Sequence, residues 1–138
     1  MYQLGEKSLE RLSTVKPALQ AVVKRAIELS TVDFRVIEGI RTLERQKYLL
    51  KKGATRTLKS KHITGDAVDL APIINGQVSW DWKHFHPIAQ AMKQASEELG
   101  TPIRWGGNWL PLSATSPNEK GEFPLSKTFP DGPHHELI

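Results

Sequence analysis

An α+β fold, a small antiparallel sheet flanked by helices, is predicted by three features of this sequence. Two stretches carry apolar residues at helical spacing, one early and one late. The strand candidates between and after them are short. Helices precede and interrupt these strands, so the order of elements is not the regular βαβ series of a parallel sheet.

Each element has its own signal. Gly5 to Leu12 reads as a short first helix. The second helix is better marked: Pro17 suits a first helical position, where its missing N–H costs nothing, and Leu19, Val22, Val23, Ala26 and Ile27 form one apolar stripe. Asp33 to Ile40 reads as a strand in which Phe34 and Val36 alternate with Arg35, although Ile37 blurs the pattern. A third helix, Leu43 to Lys52, stops at Gly53. Ala54 to Gly65 is a basic loop, Ala67 to Ala71 a short strand running into Pro72, and Asn75-Gly76 a hairpin-like turn. The last helix starts near Asp81 and ends at Gly100, burying Phe85, Ile88, Ala89, Met92 and Leu99, and Pro87 limits how far upstream it begins. Ile103 to Trp105 suggests another strand, and His134 to Ile138 closes the chain as a strand. Between them Trp109 to Asp131 is a long loop with Pro111, Pro117, Pro124 and Pro130, a length that marks a functional or mobile segment.

The chain's 138 residues suit one domain that needs no staples, and 38% apolar with 25% charged residues is a globular composition. Cysteine is absent, which excludes disulfides and thiolate metal sites and leaves His, Asp or Glu to hold any metal. Met1 to Glu10 has no apolar run, so no signal peptide is expected, and no stretch approaches the roughly 20 apolar residues of a membrane span. The expectation is synthesis as a soluble cytoplasmic protein that needs another agent to release it if it works outside. The net charge of +4 is uneven: Arg45, Lys47, Lys51, Lys52, Arg56, Lys59 and Lys61 fall between Arg45 and Gly65 with no acid among them. Such a segment is either a solvated face or a contact for a polyanion, whether nucleic acid, anionic membrane or cell-wall material.

Histidines and carboxylates concentrate in Ser60-Lys61-His62-Ile63-Thr64-Gly65-Asp66-Ala67-Val68-Asp69 and in Asp131-Gly132-Pro133-His134-His135-Glu136. A catalytic zinc takes three protein ligands and keeps one position open. His62 and Asp69 are too far apart in the chain for a helical i, i+4 pair, but a tight turn at Gly65 brings a loop histidine beside an aspartate on the next strand. In a strand His134 and His135 face opposite sides, so only one can share that site. Asp131, three residues before His134, is placed to act as a carboxylate base. By spacing alone both clusters read first as surface residues, and the metal site is the weaker reading.

The first cluster matches the Ser-x-His-x-x-Gly-x-Ala-x-Asp signature through Ser60, His62, Gly65, Ala67 and Asp69, and the second matches Asp/Glu-x-Pro-His through Asp131, Pro133 and His134. In both, the chain resembles the D-alanyl-D-alanine carboxypeptidase-like zinc peptidases, and within them most nearly the phage endolysins that cut the L-alanyl-D-glutamate bond of peptidoglycan. The likeness extends through Glu38-Gly39-Ile40-Arg41-Thr42 and Arg104-Trp105-Gly106-Gly107-Asn108-Trp109. It implies a hedgehog/DD-peptidase-like fold with one zinc per chain, bound by His62, Asp69 and His134. It further implies Asp131 as general base and then general acid, Arg41 binding a substrate carboxylate or steadying the oxyanion, and Ser60 hydrogen bonding around the site. Two positions depart from the pattern: Asn108 stands where many relatives have Asp, and His135 where they carry an apolar or aromatic residue, the Pro-His step favouring His134 as the ligand.

On this resemblance the expected function is a zinc peptidase acting on peptidoglycan stem peptides in host lysis, made of a single catalytic domain over 1–138 without a wall-binding domain. It would act as a monomer on the cell wall, reached after synthesis in the host cytoplasm through a holin-type pore. D-Ala-D-Ala carboxypeptidase activity is the alternative within the family. A zinc-containing binding module, as the hedgehog domain is, and a nucleic-acid binder using the basic segment are alternatives of other kinds. The remaining aromatic and histidine residues read as structural or ambiguous. His84 and His86 are expected to be partly exposed rather than ligands, and Trp80, Trp82, Trp105 and Trp109 either form a sugar-stacking surface or pack under the long loop. Glu119 and Glu122 supply too few oxygens for an EF-hand-like calcium loop.

Overall fold

The computed structural model describes residues 1–55, 57 and 59–138. Among these residues four helices, α1 (Glu6–Leu12), α2 (Pro17–Leu29), α3 (Leu43–Lys51) and α4 (Phe85–Leu99), accompany six strands. The strands are β1 (Asp33–Glu38), β2 (Ala67–Ile74), β3 (Gln77–Val78), β4 (Ile103–Trp105), β5 (Leu110–Pro111) and β6 (His134–Leu137). Every pairing is antiparallel, in the order β1-β2-β6-β4-β5 with β3 on the far end of β2, so the α+β expectation holds.

The core forms where the apolar stripe of α2 meets α4 and both cover one face of the sheet. Leu19, Val22, Val23 and Ala26 from α2, Ile88 and Met92 from α4, and Phe34, Val36, Val68, Leu70, Ile103 and Trp105 from the strands are all buried together. Alternation along the strands sends the intervening residues to the opposite face. That second face carries Asp69, Arg104, His134 and Glu136, and it is where the site lies.

Three boundaries differ from the sequence reading, each for a local reason. β2 runs through Pro72 to Ile74, because Pro72 sits opposite Phe34 and accepts the Ser79 amide through its carbonyl without having to donate. β1 stops at Glu38, where its pairing with β2 shifts register between Val36 and Glu38. The last helix is split: Trp82–His84 forms a 3-10 turn capped by Asp81, and α4 begins at Phe85, which keeps Pro87 in the first turn where no helical N–H is needed. The segment after Trp109 is not structureless. It contains β5 and a 3-10 turn, and it is pinned by buried Leu112 and Phe123.

Candidate metal centre

β2 and β6 lie side by side with Asp69 directly opposite His134, so both side chains leave the same face of the sheet. His62 reaches the same place from the turn before β2. Gly65 closes that turn at φ +76°, a conformation open to glycine, and its carbonyl accepts from the Lys16 amide. The Ser60 hydroxyl accepts from the His62 amide, and the His62 carbonyl accepts from the Arg41 amide.

The three candidate ligands converge. His62 Nε2 is 3.2 Å from Asp69 Oδ1 and 3.2 Å from His134 Nδ1, and His134 Nδ1 is 3.6 Å from Asp69 Oδ1. Ligands on a tetrahedral zinc at 2.0–2.1 Å stand roughly 3.3 Å apart, so the triangle has the size such an ion requires. The ring orientations agree. His62 Nδ1 donates to the Gly39 carbonyl at 2.9 Å and His134 Nε2 meets Glu136 Oε1 at 2.8 Å, so on each ring the nitrogen facing the triangle is the one left without a hydrogen when the ring is neutral. Two lone pairs 3.2 Å apart beside a carboxylate need a cation between them. Without a metal a proton serves. Burial opposes a charge on His134, yet its bonds to Asp69 and Glu136 prevail and raise it to about 9. Burial likewise disfavours charge on Asp69, but the two imidazoles hold it far below the usual carboxylate range.

Asp131 stands at the edge of this cluster in a cavity of about 600 Å³, lined among others by Arg41, Ser60, Trp109 and Phe129. Burial, and then the neighbouring Asp69 charge, raises its carboxyl above the usual range. Its side chain takes no hydrogen bond among the described residues, whereas its backbone is fixed: the Asp131 amide donates to Gly106 and the Gly106 amide to His134. Gly106 fits this place because a Cβ there would lie 2.4 Å from the Asp131 carbonyl oxygen and 2.9 Å from His134 Cβ.

Arg41 adjoins the cluster but points mainly at other protein groups. Its Nε and Nη2 fork onto Glu38 at 2.8 Å each, Nη1 donates to Gln46 at 2.7 Å, and Nη2 also reaches Asp69 Oδ2 at 3.4 Å. Four of its five N–H groups are thus taken. Glu38 and the fully buried Gln46, which also bonds Thr55 and the Thr57 carbonyl, were not singled out in the sequence. Glu136 was named within the second cluster but given no role, although two-residue spacing from His134 places it on the same face.

Other expectations separate here. His135 lies on the core side, opposite Val68 and Trp105, fully buried and, among the described residues, unpartnered at both ring nitrogens. Burial, then the neighbouring His134, pushes it down to about 3. Asn108 serves the backbone, donating to Pro124 and accepting from Leu110. His86 is buried rather than partly exposed, because its Nδ1 accepts the Phe123 amide and its ring stacks on Phe123. Of the tryptophans, Trp105 is core, Trp82 packs on it, and Trp80 is 63% exposed. Trp109, held at φ +59°, places its ring 5.2 Å from that of His134. In the basic segment Lys47, Lys51, Lys52 and Lys59 are exposed, Lys61 pairs with Glu136, and Arg56 lies outside the described residues.

Fold and site together define a small α+β domain with a candidate mononuclear metal centre and, beside it, a carboxylate unpaired among the described residues. All of residues 1–138 match the family of the phage L-alanyl-D-glutamate peptidases, and the chain belongs to that family. It is 39% identical to the L-alanyl-D-glutamate peptidase of Escherichia phage T5, over 99% of this chain and 98% of the relative. It is 24% identical to the L-alanyl-D-glutamate peptidase of Listeria phage A118, over 75% of this chain but 37% of that longer protein. The crystal structure of Serratia marcescens L-Ala D-Glu endopeptidase ChiX superposes with a TM-score of 0.80 at 37% identity, covering 96% of this chain and 87% of that one.

Proposed function

We propose that this chain is a zinc-dependent endopeptidase that hydrolyses the L-alanyl-D-glutamate bond of peptidoglycan stem peptides and acts as a phage endolysin in host lysis. One observation carries the zinc assignment: His62 Nε2, Asp69 Oδ1 and His134 Nδ1 form a triangle of tetrahedral size beside the Asp131 carboxylate. The bond assignment is supported by the family and by the two relatives with near-complete overlap.

When bound, zinc supplies Lewis acidity, making water acidic and polarising a carbonyl. This chain's residues do the rest. Asp131 takes the proton from the attacking water and delivers it to the leaving amine of D-glutamate, a role suited to a carboxyl held above its ordinary range. Arg41 keeps a fixed positive charge near the developing oxyanion while orienting Asp69, and one of its N–H groups remains for substrate. Ser60 holds the His62 backbone, and Trp109 walls the cavity beside His134.

The test is digestion of purified peptidoglycan by wild-type, chelated and zinc-restored protein, with products identified by mass spectrometry. Fragments ending at L-alanine and beginning at D-glutamate, lost on chelation and regained with zinc, are expected. Release of terminal D-alanine alone would overturn the bond assignment. Undiminished cleavage after verified metal removal would overturn the zinc assignment.

A further inference from the structure

Glu136 leaves β6 two residues after His134, on the same face of the sheet. Its Oε1 meets His134 Nε2 at 2.8 Å. Its other oxygen accepts from Arg104 Nη1 at 3.2 Å and lies 3.3 Å from Lys61 Nζ. Arg104 is its direct neighbour across β4, and Lys61, from the loop carrying His62, also donates to the Leu137 carbonyl. With two cations on one oxygen the carboxylate is ionised and can only accept, so His134 Nε2 carries a hydrogen. That leaves Nδ1 as the ring's free lone pair, the atom that faces His62 and Asp69. The same cations hold Glu136 at the back of the ring, and the cluster that could hold an ion comprises His62, Asp69 and His134 without it.

We propose that Glu136 is the positioning residue of the metal centre: it locks His134 in the Nε2–H tautomer with Nδ1 turned to the ion, strengthens that nitrogen as a ligand, and is itself anchored by Lys61 and Arg104. The proposal rests on the zinc reading above. Outer carboxylates that orient a ligating imidazole typically matter for metal affinity by about 10- to 100-fold.

The experiment measures zinc affinity by chelator competition in purified wild type, Glu136→Ala, Glu136→Gln and Arg104→Gln. Thermal unfolding checks that each variant is folded, and nitrogen-15 NMR of the zinc-loaded proteins reads the His134 tautomer. Glu136→Ala should weaken zinc by about 10- to 100-fold and lose the Nε2–H signal. Glu136→Gln keeps an oxygen acceptor but not the charge, and should fall between it and wild type. Arg104→Gln should weaken zinc less than either. If Glu136 is only an ion-pair partner, the variants lose melting temperature but keep wild-type zinc affinity and tautomer, which overturns the proposal. Should Glu136→Ala fail to fold, wild-type affinity in Glu136→Gln overturns it alone. A wild-type protein that binds no zinc removes the metal reading and this proposal together.

Discussion

Asp131 and His135 show how two side chains in one short stretch are sent to opposite fates. The Asp131 side chain faces the cavity with no protein hydrogen bond among the described residues, next to the Asp69 charge. Asp131→Asn removes its capacity to move a proton while nearly preserving shape. Turnover on peptidoglycan should fall by about 10²- to 10⁴-fold, with zinc content unchanged by metal analysis. Loss of the metal instead would show that Asp131 acts as a ligand. His135 points into the core, where its two ring nitrogens find no partner among the described residues. An unsatisfied buried polar group costs roughly 1–3 kcal/mol, so His135→Phe, which keeps a flat ring against Trp105, should raise stability by about 1 kcal/mol in urea unfolding. The sign of its pH effect is also set. The folded state holds this imidazole neutral down to about 3, whereas the unfolded chain protonates it near 6.5. Its contribution is intact above pH 6.5 and lost as pH falls toward 3, and the Phe variant should unfold less steeply across that window.

Elements bring together what the chain keeps apart. β6 is the central example: inserted between β2 and β4, it sets His134 opposite Asp69, Glu136 opposite Arg104, and His135 between Val68 and Trp105. A slip of one residue would exchange His134 and His135 and dismantle the centre. Helix α3 works through both faces. Inward, Gln46 ties Arg41 to the Thr55–Thr57 segment. Outward, Lys47 and Lys51, with Lys52 at its C-cap, are exposed. These lysines are suited to dock the enzyme on an anionic wall. Neutralising Lys51, Lys52 and Arg56 should weaken sedimentation with purified walls at low salt, with a smaller effect at high salt, because exposed charges are screened. Cleavage of a soluble muropeptide should be little changed. Equal wall binding by the variant at low salt refutes the docking role.

At the scale of the whole molecule, the metal-free protein should be most stable near pH 6.5. His134, raised to about 9, contributes stability that is complete below pH 6.5 and lost as pH rises through 9. His135 contributes the opposite slope, and Asp69 and Glu136, both held low, add to the loss at the acid end. The proposed zinc would take the place of the His134 proton, so its addition should lift the melting temperature most on the alkaline side. At pH 7 its binding should release about one proton, read by calorimetry in buffers of different ionisation enthalpy. Binding without proton release would contradict the picture of a proton standing in the metal's place.

Much of this protein was legible in its residues. The apolar stripe of α2, the helix ending at Gly100 and the two His/Asp clusters are local patterns, and local patterns survive translation into structure because helical periodicity and turn chemistry act over a few residues. The signature and the Pro-His step pointed to His62, Asp69, Asp131 and His134, and the structure draws His62, Asp69 and His134 into one triangle. What no short pattern carried were contacts made across the fold. Arg41 reads as a free cation until Glu38, Gln46 and Asp69 are seen around it. His86 reads as a surface residue until Phe123 arrives from 37 residues away to bond it. Glu136 acquires meaning only when Arg104 and Lys61 fix its charge behind His134. Residue type and spacing determined which groups were able to bind an ion. Strand register and burial, which depend on the whole chain folding at once, decided which way each group faced and what held it there.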